Sequence, residues 1–306
     1  MENKKALKHQ TIDLGTRAVD VSSLRDPLGD DISHVIVAEA EISGMGTDAN
    51  PSVSTAKAIS EFAERYILKS FGEQMGISTS NGLAAHMDLR VAEESALTEL
   101  VERDVFLLSW LTKTPSLEIT EDVKGWYLNQ TSKFSDNKLN IRIGLCGISN
   151  KRVVLVGIVQ KQDTGRIIVS TSSGFDQKIV ALKLIYDLRR AVFMLENEIV
   201  QHADQIQKPS DHISFYLNRD RGDSLSWMFT QCKNKEPMVF PDLSKITLSR
   251  FSIFRSDRIS RHVVQASSPL AQQYFCGETT QGNINWDRLK HISFEGEINY
   301  AVHPLG

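Results

Sequence analysis

The chain has 306 residues, of which 41% are hydrophobic and 24% are charged, a composition typical of a globular protein that can bury a core. A formal net charge of −3, with no basic stripe, argues against a general nucleic-acid binder. No apolar run approaches the roughly 20 residues that a membrane helix needs, and the charged N-terminus does not resemble a secretory signal. The three cysteines are far apart and form no CxxC pair, which favours a reducing cytoplasm over a disulfide framework.

The first half of the chain predicts one strand followed by two long helices. In chain order the predicted elements are a polar, turn-rich segment at 1–30, a strand at 34–42, a turn at 44–46, helix caps within 48–54, a helix at 55–71, a loop at 72–82 and a helix at 90–111. The first helix is predicted because apolar residues recur at helical spacing, and the second is predicted to end before Pro115.

The second half predicts a strand-rich middle followed by a weaker pattern. Its predicted elements are strands at 139–146, 153–159 and 166–170, a helix at 177–201, a strand at 212–217, a helix at 224–231 and a strand at 261–266. The strand at 153–159 is almost wholly apolar, which indicates burial on both faces. Because no low-complexity linker divides the chain, the sequence predicts one compact α+β domain.

An acidic motif occurs twice, once in each of the first two predicted helices. Residues 58–65 (AISEFAER) and 96–103 (ALTELVER) share the pattern A-[IL]-[ST]-E-x-[AV]-E-R. In each copy the two glutamates are three residues apart and therefore share a helix face that borders apolar neighbours. Two such helices packed together would converge Glu61, Glu64, Glu99 and Glu102 with Arg65 and Arg103. Carboxylates suit Mg2+, and arginine suits phosphate.

The repeat allows two other interpretations, a solvated helix face and a di-iron carboxylate site. A single ExxER is most often a solvated helix face with intrahelical ion pairs. A di-iron carboxylate bundle needs Glu-x-x-His from two helices, and no histidine occupies that position in either copy. The sequence also lacks the phosphate loop, the dinucleotide fingerprint and the HExxH and GxSxG motifs, so that ATP would need a different cradle.

The segment 80–110 (SNGLAAHMDLRVAEESALTELVERDVFLLSW) resembles the second nucleotide-binding motif of the YcaO family. Residues 56–66 resemble the first motif and residues 170–196 (STSSGFDQKIVALKLIYDLRRAVFMLE) resemble the third. The C-terminal His303-Pro304-Leu305-Gly306 is similar to the proline-bearing end of azoline-forming members, in particular the cyclodehydratase subunit of microcin-type synthetases.

The resemblance implies a YcaO-type α+β fold with mixed or antiparallel sheets, and helices framing a nucleotide site, over a single domain at 1–306. It implies an enzyme that uses ATP and Mg2+ to phosphorylate a backbone amide oxygen of a precursor peptide, so that Cys, Ser or Thr side chains form thiazoline or oxazoline rings. Four residues would hold the metal and the phosphates: Glu61, Glu64, Glu99 and Glu102. Four more would contact the nucleotide: Arg65, Arg103, Asp187 and Arg190. Gly306 would be catalytic, its terminal carboxylate acting as a base.

The sequence departs from the family pattern in ways that keep two alternatives open. The segment between the first two motifs is short, and Asp187 and Arg190 stand where Glu and Gln are common. One alternative is a thioamide or amidine synthase, which uses the same activated amide with another nucleophile. The other is a scaffold subunit that has lost turnover.

Partners are expected from the resemblance alone. The substrate would be a precursor peptide, recognised through its leader by a subunit resembling ubiquitin-activating enzymes. An FMN-dependent dehydrogenase subunit would oxidise azolines to azoles, and the chain would form a homodimer within the complex. Neither nucleic acid nor membrane is expected as a partner.

Overall fold

The computed structural model describes most of the chain. The described residues are 9–13, 20–29, 31–77, 79–119, 132–134, 136–196, 205–206, 210–217, 224–230, 236–254 and 260–305. The helices are α1 (Pro51–Met75), α2 (Leu89–Leu111), α3 (Gln177–Glu196), α4 (Ser210–Phe215) and α5 (Trp286–His291). The strands are β1 (His9–Asp13), β2 (Asp20–Arg25), β3 (Ser33–Glu39), β4 (Ile42–Asp48), β5 (Leu83–His86), β6 (Ser116–Glu118), β7 (Leu139–Ser149), β8 (Arg152–Lys161), β9 (Ile167–Gly174), β10 (Phe229–Thr230), β11 (Thr247–Phe254) and β12 (Ser260–Ser267).

The chain divides into two compact units, and the division falls inside α2 after Leu100. Unit 1 comprises Met1–Arg25, Asp31–Leu100 and Ser244–Pro269, and unit 2 comprises Asp26–Asp30, Val101–Leu243 and Leu270–Gly306. The elements confirm the predicted α+β class. The single-domain interpretation stays a prediction.

Unit 1 is built from two sheets and the long helix α1. One sheet has the order β1-β11-β12-β5 and the other is the antiparallel meander β2-β3-β4. One side of α1 buries Ala58 and Phe62 against the meander, while Ala63 and Ile67 pack in a cluster with residues of the four-stranded sheet. The helix therefore contributes to two cores, which explains why its apolar residues are spread around its circumference.

Local sequence accounts for both ends of α1. The Asn50 side chain accepts a hydrogen bond from the Ser52 amide at 2.9 Å, and Pro51 begins the helix where no amide donor is needed. Gly76 ends the helix in the left-handed region at φ 68°. The helix is longer at both ends than the predicted 55–71.

The glycines of β4 let the meander approach α1 closely. A Cβ placed on Gly46 would lie 1.8 Å from the Ser54 carbonyl oxygen, and one on Gly44 would lie 2.2 Å from the Ala58 carbonyl oxygen. The sequence prediction of a turn at these glycines is therefore wrong. They are strand residues that lack a side chain because a helix backbone occupies the space.

Unit 2 contains a five-stranded sheet of order β10-β6-β7-β8-β9. Helix α3 packs on β8 and β9, and its apolar residues Leu184 and Leu188 are fully buried there. The short segment Asp26–Asp30 is bound to this unit by a buried ion pair, in which Arg189 Nε lies 2.9 Å from Asp26 Oδ2.

The remaining element predictions were partly confirmed. Helix α2 begins one residue before the predicted position, and the strands at 139–146, 153–159 and 261–266 lie within longer strands. The predicted strand at 212–217 is wrong because α4 covers most of it, and the predicted helix at 224–231 is a 3-10 turn followed by β10. The polar segment at 1–30 contains β1 and β2.

Candidate nucleotide and magnesium site

The first acidic motif lies on α1, and its Glu61 is held by two donors. The Met45 amide donates to Glu61 Oε2 at 2.8 Å, so that β4 orients this carboxylate. Arg65 Nη2 donates to Glu61 Oε1 at 2.6 Å, and Arg65 Nη1 donates to the Ser43 carbonyl at 2.9 Å. In this motif the predicted intrahelical ion pair therefore exists, and it also ties α1 to the neighbouring strand.

Glu64, the second glutamate of the first motif, has a strongly shifted pKa. Its Oε1 accepts a hydrogen bond from the Ala85 amide at 2.7 Å, which directs the side chain toward β5. Burial raises the pKa of Glu64 well above its usual value, and the negative charges of Glu99 and Glu61 raise it further. The two acidic helices thus bring Glu61 and Glu99 within electrostatic reach of Glu64 in the same unit.

This crowding is the observation that tests whether Mg2+ fits. A buried carboxyl group beside two others favours either a bound proton or a nearby cation. Mg2+ in ATP-using enzymes is commonly held by one or two carboxylates together with the phosphates. Glu64 and Glu99 offer two hard oxygen ligands of that kind, so they fit an ion whose remaining ligands are phosphate and water oxygens. In the described part of the chain, no group of three or more His, Cys, Asp or Glu side chains is arranged to hold a metal.

The second motif continues into unit 2 with Glu102 and Arg103. Thr171 Oγ1 donates to Glu102 Oε1 at 2.6 Å, and Ser173 Oγ donates to Glu102 Oε2 at 2.9 Å. The guanidinium carbon of Arg103 lies 5.7 Å from the ring centre of Tyr274, within cation–π range.

The predicted residues of the third motif lie together on α3. Arg190 Nη2 is 3.5 Å from Asp187 Oδ1, and about one third of each side chain is exposed. The predicted catalytic residue Gly306 lies outside the described residues.

Sequence reasoning missed three residues around these motifs. Thr171 and Ser173 were inside the segment compared with the third motif but were not assigned a role. They alternate along β9, and period-two hydroxyls on one strand face were the available indication. Tyr274 had no such indication, because it is far from Arg103 in sequence and belongs to no recognisable motif.

The comparisons with known proteins identify the family of the chain. The sequence model of the YcaO family, described as YcaO cyclodehydratase, ATP- and Mg2+-binding, matches residues 66–225, just over half of the chain. The chain belongs to the YcaO family. It is an ATP-dependent enzyme of the cyclodehydratase class, with ATP and Mg2+ as cofactors. The matched range includes the second and third motifs, whereas Glu61, Glu64 and Arg65 precede it.

Solved structures share the fold at low sequence identity. The YcaO protein of Methanopyrus kandleri, bound with AMPPCP and Mg2+, superposes with a TM-score of 0.60 at 13% identity, over 84% of this chain and 86% of that chain. A heterocyclase in complex with substrate and cofactor gives 0.63 at 12%, over 84% of this chain and 50% of that chain. This chain thus aligns with about half the length of the heterocyclase.

A third structure belongs to a multisubunit assembly. The E. coli microcin synthetase McbBCD complex with pro-MccB17 bound gives a TM-score of 0.59 at 12% identity, over 82% of this chain and 88% of that chain. No curated protein matches the chain in sequence. Among the described residues, no helix is long and apolar enough to cross a membrane.

Proposed function

We propose that the chain uses ATP to activate a backbone amide of a ribosomally made precursor peptide, so that a Cys, Ser or Thr side chain closes a thiazoline or oxazoline ring. The observation that carries the proposal is the match to the ATP- and Mg2+-binding YcaO cyclodehydratase family over residues 66–225. Beside it stands Glu64, whose Oε1 accepts a hydrogen bond from the Ala85 amide and whose pKa is raised by burial and by the negative charges of Glu99 and Glu61. Magnesium bound with ATP is the cation that the family uses.

The chemistry requires a better leaving group than an amide oxygen. When bound, ATP supplies a γ-phosphate for that oxygen, and Mg2+ neutralises its charge. The side-chain nucleophile adds to the amide carbon, and the carbon–oxygen bond then breaks with phosphate as the leaving group. The peptide loses one water per ring overall, and no nucleophile from the enzyme is needed.

The residues of the chain hold and orient these groups. In the proposal Glu64 and Glu99 bind the metal directly. The Met45 amide orients Glu61 in unit 1, and the Thr171 and Ser173 hydroxyls orient Glu102 in unit 2. Arg65 and Arg103 contact the phosphates in this proposal, and Asp187 and Arg190 contact the nucleotide. The terminal carboxylate of Gly306 acts as the catalytic base. Appending a few residues after Gly306 tests the last assignment, since ring formation should stop while nucleotide binding persists.

The first test measures Mg2+-dependent ATP binding by calorimetry. Glu64→Gln and Glu99→Gln each keep the side-chain shape and remove a ligand charge, so each should weaken binding at least about tenfold. Glu73→Gln is the matched control, because Glu73 is an exposed glutamate of the same helix and should bind ATP like the wild type. If folded Glu64→Gln and Glu99→Gln variants both bind normally, the acidic motifs are solvated ion pairs and the site assignment is wrong.

The second test identifies the product and the partners. The likeness to a microcin synthetase complex with a bound precursor supports a precursor peptide and other synthetase subunits as partners. In the proposal these subunits are a leader-recognising protein resembling ubiquitin-activating enzymes and an FMN-dependent dehydrogenase, and the chain forms a homodimer within the complex. In a reconstituted mixture, mass spectrometry should find loss of one water per modified residue. Replacement of oxygen by sulfur would instead identify a thioamide synthase, and an unmodified peptide beside intact ATP binding would identify a scaffold subunit.

A further inference from the structure

A row of side-chain donors holds the backbone of residues 301–305 in unit 2. The Ala301 carbonyl accepts hydrogen bonds from Trp110 Nε1 at 3.1 Å and from Thr279 Oγ1 at 3.0 Å. The next carbonyl, of Val302, accepts from the Tyr216 hydroxyl. These donors bind main-chain oxygens, so they fix the path of the segment independently of most of its side chains.

The same pattern continues along the segment. His212 Nδ1 donates to the His303 carbonyl at 2.6 Å, and the Tyr274 hydroxyl donates to the Leu305 carbonyl at 3.3 Å. We call these five donors, Trp110, Thr279, Tyr216, His212 and Tyr274, the backbone cradle.

The His303 ring packs into the cradle and fixes Tyr274. It stacks on His212 at 4.1 Å between ring centres and meets Tyr274 edge to face at 5.2 Å. Its Nε2 donates to the Phe275 carbonyl at 2.8 Å, and the residue is fully buried. Tyr274 is therefore held by its ring on one side and by its hydroxyl at the Leu305 carbonyl.

The Tyr274 ring also contacts Arg103, the arginine of the second acidic motif. Its guanidinium lies over the Tyr274 ring, and its positive charge acts on both Tyr274 and His303. A guanidinium over an aromatic face loses side-chain freedom and gains electrostatic attraction from the ring. Tyr274 thus joins the backbone cradle to a motif residue.

We propose that Tyr274 is a positioning residue that holds Arg103 in the orientation in which it contacts the phosphates of ATP, with the cradle fixing the ring. This inference rests on the proposed role of Arg103 at the nucleotide. It assigns to Tyr274 no contact with substrate of its own.

The test is a set of variants whose affinity for Mg2+-AMPPCP is measured by calorimetry. Tyr274→Leu removes the ring face, and we expect affinity to fall about 3- to 10-fold. Tyr274→Phe keeps the ring and loses only the hydroxyl, and should bind within about twofold of the wild type. Tyr300→Leu, which changes an exposed tyrosine nearby, is the matched control and should bind normally. Thermal unfolding checks that each variant is folded.

A double-variant cycle separates positioning from a general structural effect. Arg103→Gln should weaken binding at least as much as Tyr274→Leu, and combining the two should cost little more than Arg103→Gln alone, because the ring acts only through the arginine. If Tyr274→Leu does not fold, Tyr274→Met serves in its place, since it fills similar space without a ring face.

The outcomes distinguish this inference from the proposed function. Normal binding by folded Tyr274→Leu or Tyr274→Met, beside weakened binding by Arg103→Gln, overturns the role of Tyr274 alone. Normal binding by Arg103→Gln overturns the nucleotide role of Arg103 and this inference with it. Losses that simply add in the double variant also overturn it, because they would place Tyr274 outside the action of Arg103.

Discussion

Two buried residues, Asp104 and Arg288, form a complete ion pair one position after the second acidic motif. Arg288 Nη2 lies 2.6 Å from Asp104 Oδ2, both side chains have no exposed surface, and the Gln272 amide donates to Asp104 Oδ1 at 2.7 Å. Burial raises the pKa of Asp104 in spite of Arg288, because desolvation outweighs the attraction. Arg288 donates to Asp104 through Nε and Nη2, and neither partner can lose the other without leaving a buried charge.

We therefore predict that Asp104→Asn lowers the free energy of unfolding by about 3–5 kcal/mol, because the Arg288 charge is left uncompensated. Chemical denaturation monitored by circular dichroism measures this. Asp287→Asn is the control, since Asp287 and Lys290 form an ion pair at 3.7 Å with both side chains about four-fifths exposed. A loss of less than about 1 kcal/mol in Asp104→Asn would contradict the argument.

The acidic residues of the candidate site were predictable from sequence, whereas their neighbours were not. The ExxER repeat identifies Glu64 and Glu99 because helical spacing is local and two copies are rare by chance. Tyr274 and the hydrogen bonds of Thr171 depend on the tertiary fold, which brings β9 and residue 274 to α2 from far along the chain. The local sequence around these residues therefore could not predict those contacts.

Helices and strands were also predicted correctly where local sequence determines them and wrongly where tertiary contacts do. Helix α2 begins within one residue of its predicted start, and its predicted end at 111 is correct because Pro115 lies just beyond it. Residues 212–217 alternate like a strand, yet His212 and Tyr216 are four residues apart and both donate to the segment 301–305 from the α4 region. Four residues span about 6 Å in a helix and about 13 Å in a strand. The helical turn therefore brings both donors to the adjacent carbonyls of Val302 and His303.

The contact of β4 with α1 gives a prediction for this element pair. Gly46→Ala should lower the free energy of unfolding by at least about 3 kcal/mol, since the new Cβ would lie 1.8 Å from the Ser54 carbonyl and a backbone must move. Gly282→Ala is the control, because its Cβ would lie 3.9 Å from its nearest neighbouring atom, Thr280 Oγ1. Denaturation midpoints compare the two variants, and equal midpoints would show that β4 can shift away from α1 without cost.

At the scale of the whole molecule, pH changes stability through groups whose pKa differs between the folded and unfolded chains. Burial, together with the neighbouring His212, lowers the pKa of His303 to about 3. Burial also lowers the pKa of His212. Glu64 and Asp104 have raised pKa values and act in the opposite sense, since their contributions decrease as pH rises. The free energy of unfolding of the whole chain therefore changes with pH through opposing contributions. The contribution of one residue is measured by comparing its variant with the wild type.

For His303 the folded chain keeps the ring neutral where the unfolded chain, with a pKa near 6.5, takes up a proton. The neutral His303 ring therefore contributes fully to the free energy of unfolding above about pH 6.5. This contribution is lost as the pH falls toward 3, by at most about 1.4 kcal/mol per pH unit. We predict that the stability difference between the wild type and His303→Gln narrows by about 2 kcal/mol between about pH 7.5 and pH 5, measured by denaturation at each pH. His291→Gln, at an exposed position, should follow the wild-type profile. A difference that stays constant with pH would mean that His303 titrates alike in both states, and that the backbone cradle does not exclude its proton.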